Sequence, residues 1–85
     1  MNKNINIVDI LTIISDVLGR NKTGTATTKD IAVECGMRYP DLHLASMLTM
    51  MRTAKQGGLL RYEPSTMLWW LTDDGKKELK NAKRK

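Results

Sequence analysis

The sequence predicts one α+β domain, mainly helical with a small β-hairpin, in the order helix, short strand, helix, helix, hairpin, helix. Three observations carry this reading. Apolar residues recur at helical spacing in residues 6–18 and again in residues 40–56. Only Met37, Arg38 and Tyr39 separate Gly36, which can end one helix, from Pro40, which can begin the next. After Gly57 and Gly58 the period changes, and two stretches rich in Leu, Tyr and Trp flank Pro64. The 85 residues have room for one domain, with its core at about residues 5–82 and a basic C-terminal tail at 76–85.

In the first helix Ile7, Val8, Ile10, Leu11, Ile13, Ile14, Val17 and Leu18 form the apolar side, and Asn6, Asp9, Thr12, Ser15 and Asp16 the other. Asn6 is placed to cap it, and Gly19 stands where a left-handed C-terminal residue is wanted. A threonine-rich loop follows, in which Thr25-Ala26-Thr27 suits a short strand. Thr27 and Asp30 give a capping signature for a second helix, with Ile31, Ala32 and Cys35 on its inner side and Gly36 at its end. The third helix is expected from Pro40 or Asp41 to about Gln56. Two helices joined by so short a turn form a helix-turn-helix. Leu44, Met47, Leu48, Met51 and Ala54 share its inner stripe. The opposite face carries Leu42, Ser46, Thr49 and Thr53, flanked by His43 and Met50 on one side and Ala45 and Arg52 on the other.

Strands are expected at residues 59–63 and 67–72, joined by Glu63-Pro64-Ser65-Thr66. Thr72 then caps a last helix, with Asp73 and Asp74 in its positive first turn and lysines towards its negative end.

A chain this short buries only about 60% of its unfolded surface, so a deep enclosed pocket is not expected. At 41% apolar and 27% charged residues the composition is that of a folded domain rather than a disordered one. Cys35 is the single cysteine, which excludes an internal disulfide and a site with several thiolates. His43 has no second His or Cys at ligand spacing, so neither a metal nor another cofactor is expected. Asp73 and Asp74 are adjacent at a helix start, where capping explains them without catalysis. Met37, Met47, Met50, Met51 and Met67 form no repeat of ligand type, and most are expected in the core, with Met50 the candidate for exposure. The chain therefore reads as a non-enzyme. It has no uninterrupted apolar run for a secretory signal or a membrane span, so a cytoplasmic protein with no membrane partner is expected. Its formal charge of +5 resides between Lys76 and Lys85; residues 1–75 are balanced. Any attraction to a polyanion that depends on net charge thus comes from the tail.

The order of elements, the Thr27-Thr28-Lys29-Asp30-Ile31-Ala32 entry to the second helix, the Gly58-Leu59-Leu60 exit from the third and the Trp69-Trp70-Leu71-Thr72-Asp73-Asp74-Gly75 link resemble the winged-helix (winged helix-turn-helix) family. The last stretch looks like the aromatic-x-L-T-x-x-G link found in many winged-helix regulators. The resemblance implies a duplex DNA partner, with the third helix in the major groove and the hairpin, or wing, near the backbone. It implies a transcriptional regulator or accessory DNA-binding factor, nucleoid-associated in the cell. Carried over, the DNA-binding residues are Arg38, Tyr39, Leu42, His43, Ser46, Thr49, Met50, Arg52, Thr53, Arg61 and Ser65, with Lys83, Arg84 and Lys85 of the tail. Lys55 is a further candidate for phosphate. No Arg, Lys, Asn or Gln, the residues of bidentate base contacts, stands at the centre of the helix face. The branch that binds Z-form DNA carries an Asn and a Tyr on this helix, and this helix has neither.

A minority of winged helices bind proteins instead, and Leu42, Met50 and Trp70 are the residues for that alternative, as in a phage- or plasmid-type inhibitor of a host complex. By the family register Trp69 and Leu71 face the core and Trp70 faces outwards. The first helix has more apolar residues than one stripe needs, Ile10, Ile13 and Val17 among them, and this predicts a homodimer through it or the last helix.

Overall fold

The structure, a computed structural model, describes residues 5–83, and for Lys83 the backbone only. Helix α1 (Ile7–Arg20) starts at a closed capping box. The Asn6 side chain accepts from the Asp9 N–H, and the Asp9 carboxylate accepts from the Asn6 N–H, both at 3.0 Å. Gly19 does not end α1. The helix continues to Arg20 and is capped at Asn21, and the left-handed glycine is Gly24 in the following turn (φ 71°). Staying helical lets Arg20 reach Glu34 at 2.6 Å.

Strand β1 (Ala26–Thr27) leads directly into α2 (Thr28–Arg38), where Thr27 and Asp30 form the second capping box. Gly36 does not stop α2 either. Arg38 pairs with Glu34 one turn back at 2.8 Å and with Asp16 of α1 at 2.7 Å, and both contacts need the last turn to be helical. The helix ends at Tyr39, which precedes proline and is pushed out of helical geometry (φ −134°, ψ 72°).

Pro40 belongs to a turn rather than to a helix. The Leu42 N–H donates to the Tyr39 carbonyl at 2.9 Å, which puts Pro40 at the second position of a β-turn, where its fixed φ fits as well as in a first helical turn. Helix α3 (Leu44–Gln56) therefore begins at Leu44, with His43 as its N-cap, and Leu42 lies outside it. Met47, Met51 and Ala54 are buried and Leu48 is half-buried. Leu44, expected inside, sits in the first turn and is 56% exposed. At the other end the Leu59 N–H donates to Ala54 O and the Gly58 N–H to Lys55 O, with Gly58 left-handed (φ 79°). This is a Schellman motif, and it turns the chain into the sheet.

Strands β2 (Leu60–Glu63) and β3 (Leu68–Leu71) form the hairpin. The antiparallel sheet has the order β1-β3-β2. Tyr62 faces Trp69, Leu60 faces Leu71 and Arg61 faces Trp70 across the ladder. Trp69 and Leu71 are buried, and Trp70 is half-buried on the other face, in the expected register. Thr72 precedes α4 (Asp73–Lys83) and caps it by accepting from the Gly75 N–H at 3.0 Å.

Helix α1 packs against α2, α3, α4, β1 and β3. Ile10, Leu11, Ile13, Ile14 and Val17 are at most 3% exposed, so the chain itself covers the residues from which a dimer through α1 was expected. Ile7, Val8 and Leu18 are only partly buried. Among the methionines, Met47 and Met51 are core and Met50 packs partly against it. Met37 (73% exposed) and Met67 (61%) lie on the surface, contrary to expectation. Met67 is drawn outward by the left-handed backbone (φ 57°) that closes the hairpin.

Glu34 is buried between two arginines and joins α1 to α2. Hydrogen bonds from Arg20 and then Arg38 hold its carboxyl below the usual carboxylate range. A carboxyl whose folded pKa is depressed stabilises above its unfolded pKa and loses that contribution as pH falls through the folded value. Glu34→Gln is thus expected to lower the melting temperature at neutral pH and to flatten the acid limb below about pH 4.5. Thermal melts of both proteins from pH 7 to pH 2 check this, and parallel acid limbs would remove Glu34 from the account.

Candidate nucleic-acid interface

The outward face of α3 is built by the burial of Met47, Met51 and Ala54, which turns Ser46, Thr49, Arg52, Thr53 and Gln56 to solvent. The Thr49 hydroxyl donates to the Ala45 carbonyl at 2.9 Å, and that of Thr53 to the Thr49 carbonyl at 3.0 Å. Their protons are committed to the helix, so both threonines present a methyl group and an accepting oxygen. That surface suits thymine methyls and the amino groups of adenine and cytosine. Helix α3 is also free of Asp and Glu, whereas α1, α2 and α4 each carry at least two. An approaching polyanion would meet Arg52 and Lys55 there and no carboxylate on the same helix.

The remaining candidates divide. His43 is exposed, with no hydrogen bond from its side chain to the helix it caps. Arg61 is exposed on the outer face of the wing, opposite Trp70. Arg38 is not free as expected: its guanidinium is engaged by Glu34 and Asp16. Ser65 is exposed on the wing but engaged, its N–H (3.1 Å) and hydroxyl (2.7 Å) both donating to the Glu63 carboxylate. Those bonds hold Glu63 below the usual carboxylate range, so the wing tip carries a negative charge beside Ser65. Tyr39, Leu42 and Met50 are partly buried against the core. The side chain of Lys83, and Arg84 and Lys85, lie outside the described residues.

Trp70 lines a groove with Ser15, Leu18, Thr25 and Lys76, on the sheet face opposite to Trp69. Cys35 is buried, and that burial pushes its thiol pKa up, away from reactivity. Thr28 and Tyr62 were not among the expected site residues. They line a cleft with Arg52 and Lys55, made by a tryptophan 41 positions from Thr28.

Four helices, a three-stranded antiparallel sheet in the order β1-β3-β2 and a short turn between α2 and α3 define a winged-helix domain. In three dimensions the chain is similar to the crystal structure of Bacillus subtilis PadR, with a TM-score of 0.60 and 20% sequence identity. The match covers 93% of this chain and 44% of PadR, so the chain spans less than half of that protein's length. No family model matches the sequence, and no curated protein matches it.

Proposed function

We propose that this chain is a winged-helix DNA-binding protein acting in transcription regulation, with α3 in the major groove of duplex DNA. The observation that carries the reading is the outward face of α3: exposed, free of carboxylates, edged by Arg52 and Lys55, and lined with threonine methyls and accepting oxygens. The likeness in fold to PadR supports it. Ser46, Thr49 and Thr53 meet base edges, with His43 beside them, and Arg52, Lys55 and Arg61 meet phosphates. With Glu63 at the wing tip, Arg61 is the better placed of the two wing candidates. The protein then works in the cytoplasm, at the nucleoid. No described helix is long and apolar enough to cross a membrane.

A band shift with mixed duplex DNA at low salt tests this, and no binding at micromolar protein overturns it. Thr49→Glu puts a charge against the groove and is expected to weaken every sequence. Deleting Lys83, Arg84 and Lys85 is expected to make the slope of log affinity against log salt shallower by at most about 3, at roughly 0.9 per phosphate, with little change in discrimination.

A second reading, a protein partner, is favoured by the exposed Leu44 at the start of α3 and by half-buried Trp70. A complex that survives high salt would select it over DNA. A homodimer would have to use α4 or the Ile7, Val8 and Leu18 edge of α1, and sedimentation at about 100 μM, where moderate affinities populate dimers, decides it.

A further inference from the structure

A cleft of about 210 Å³ opens where the start of α2, the second half of α3 and the inner face of the wing meet. Thr28, Leu48, Arg52, Lys55, Tyr62 and Trp69 line it, and no carboxylate is among them. A chain of contacts fixes its walls. Lys55 Nζ stands 5.8 Å from the centre of the Tyr62 ring, which is tilted against Trp69 with ring centres 4.6 Å apart. The indole Nε1–H of Trp69 then donates to Thr28 Oγ1 at 2.8 Å. A hydroxyl that accepts one bond keeps its own proton for a second partner. The cleft thus gathers a guanidinium, an ammonium and two hydroxyls, all able to donate. Two positive charges and several donors without a competing acid make an environment for an oxyanion.

We propose that this cleft seats one phosphodiester of a nucleic-acid backbone, with Thr28 as a neutral donor positioned by Trp69 and with Arg52 and Lys55 neutralising its charge. The proposal rests on the DNA-binding reading and deepens it. The seat is a few side chains away from Thr49 and Thr53 on the same helix, so it sets how α3 enters the groove without reading sequence.

The test uses the full chain, the indole Nε1–H resonance of Trp69 assigned with Trp70→Phe, and two probes. These are a mixed-sequence DNA duplex, and sodium phosphate compared with sodium chloride at equal ionic strength. The duplex is expected to shift the Trp69 indole resonance. Lys55→Gln is expected to weaken all duplexes alike and to make the salt slope shallower by about 0.9. Thr28→Val is expected to weaken them about tenfold with the salt slope unchanged, since it removes a hydrogen bond but no charge. Lys55 is exposed, so its variant is informative even if Thr28→Val disturbs the fold. A duplex that binds without moving the indole, and with full affinity for both variants, overturns the seat and leaves the DNA reading standing. Phosphate that moves the indole where no duplex binds overturns both the seat and that reading, in favour of a small-anion site. A duplex that does not bind, with phosphate also leaving the indole unmoved, overturns both.

Discussion

Replacing Gly75 by alanine is expected to destabilise the domain by about 1–3 kcal/mol, the usual cost of forcing extra volume into a packed site. Intrinsic preference runs the other way, because alanine is favoured over glycine in a helix by up to about 1 kcal/mol. Sterics decide the sign. A Cβ on Gly75 would drive into the carbonyl oxygen of Leu59 and would also meet Leu71 Cδ2 at 3.1 Å. That carbonyl has little freedom to retreat. It accepts from the Thr72 N–H at 3.2 Å, and the neighbouring Gly58 carbonyl accepts from the Thr72 hydroxyl at 2.6 Å. Moving Leu59 therefore strains the junction of α3, the sheet and α4 together. Gly19 and Gly36 are the controls, since a Cβ on either meets nothing within 4 Å and both lie inside helices. Gly19→Ala and Gly36→Ala are each expected to raise stability by up to about 1 kcal/mol. Urea unfolding of the three variants checks the contrast, and three changes of the same sign would refute the steric account.

The same glycines show how far the sequence could be read. The Thr27–Asp30 capping box was legible because its partners lie three residues apart, as were the caps at Asn6 and Thr72. The reciprocal bond of Asp9 to Asn6 was not read, and the inward facing of Trp69 and Leu71 came with the family resemblance. Gly19 and Gly36 looked like helix stops, but a glycine ends a helix only where the chain must turn left-handed. What carries α1 and α2 past them is a set of ion pairs whose partners, Arg20 with Glu34 and Arg38 with Asp16, sit on different helices. Pro40 misplaced the start of α3 for a local reason: one φ value serves a β-turn and a first helical turn equally. On the candidate interface, periodicity revealed the Ser46, Thr49 and Thr53 face. It was blind to the engagement of Arg38 by Asp16, to the Ser65–Glu63 bonds and to the Thr28–Trp69 contact, all set by tertiary or turn geometry.

Trp69→Ala is expected to lose about 3–5 kcal/mol, the range for removing a large buried aromatic side chain. A domain of this size has a total stability of only about 4–13 kcal/mol, so this single change removes between about a quarter and all of it. The cost has identifiable parts. Trp69 is 5% exposed, so its removal leaves a cavity under the sheet and strips Tyr62 of an aromatic partner worth about 0.5–1.5 kcal/mol. It also takes away the hydrogen bond to Thr28. Trp69→Phe separates the parts, since it keeps an aromatic ring and deletes the N–H. Thr28 is only half-buried, so water can replace the lost donor, and the hydrogen bond alone should cost no more than about 1.5 kcal/mol. Phenylalanine is therefore expected to fall well short of alanine in its effect, the difference measuring ring packing. Urea titrations followed by far-ultraviolet circular dichroism give both values. Equal losses would place the stabilisation in the N–H and not in the ring, contrary to the packing seen around Tyr62.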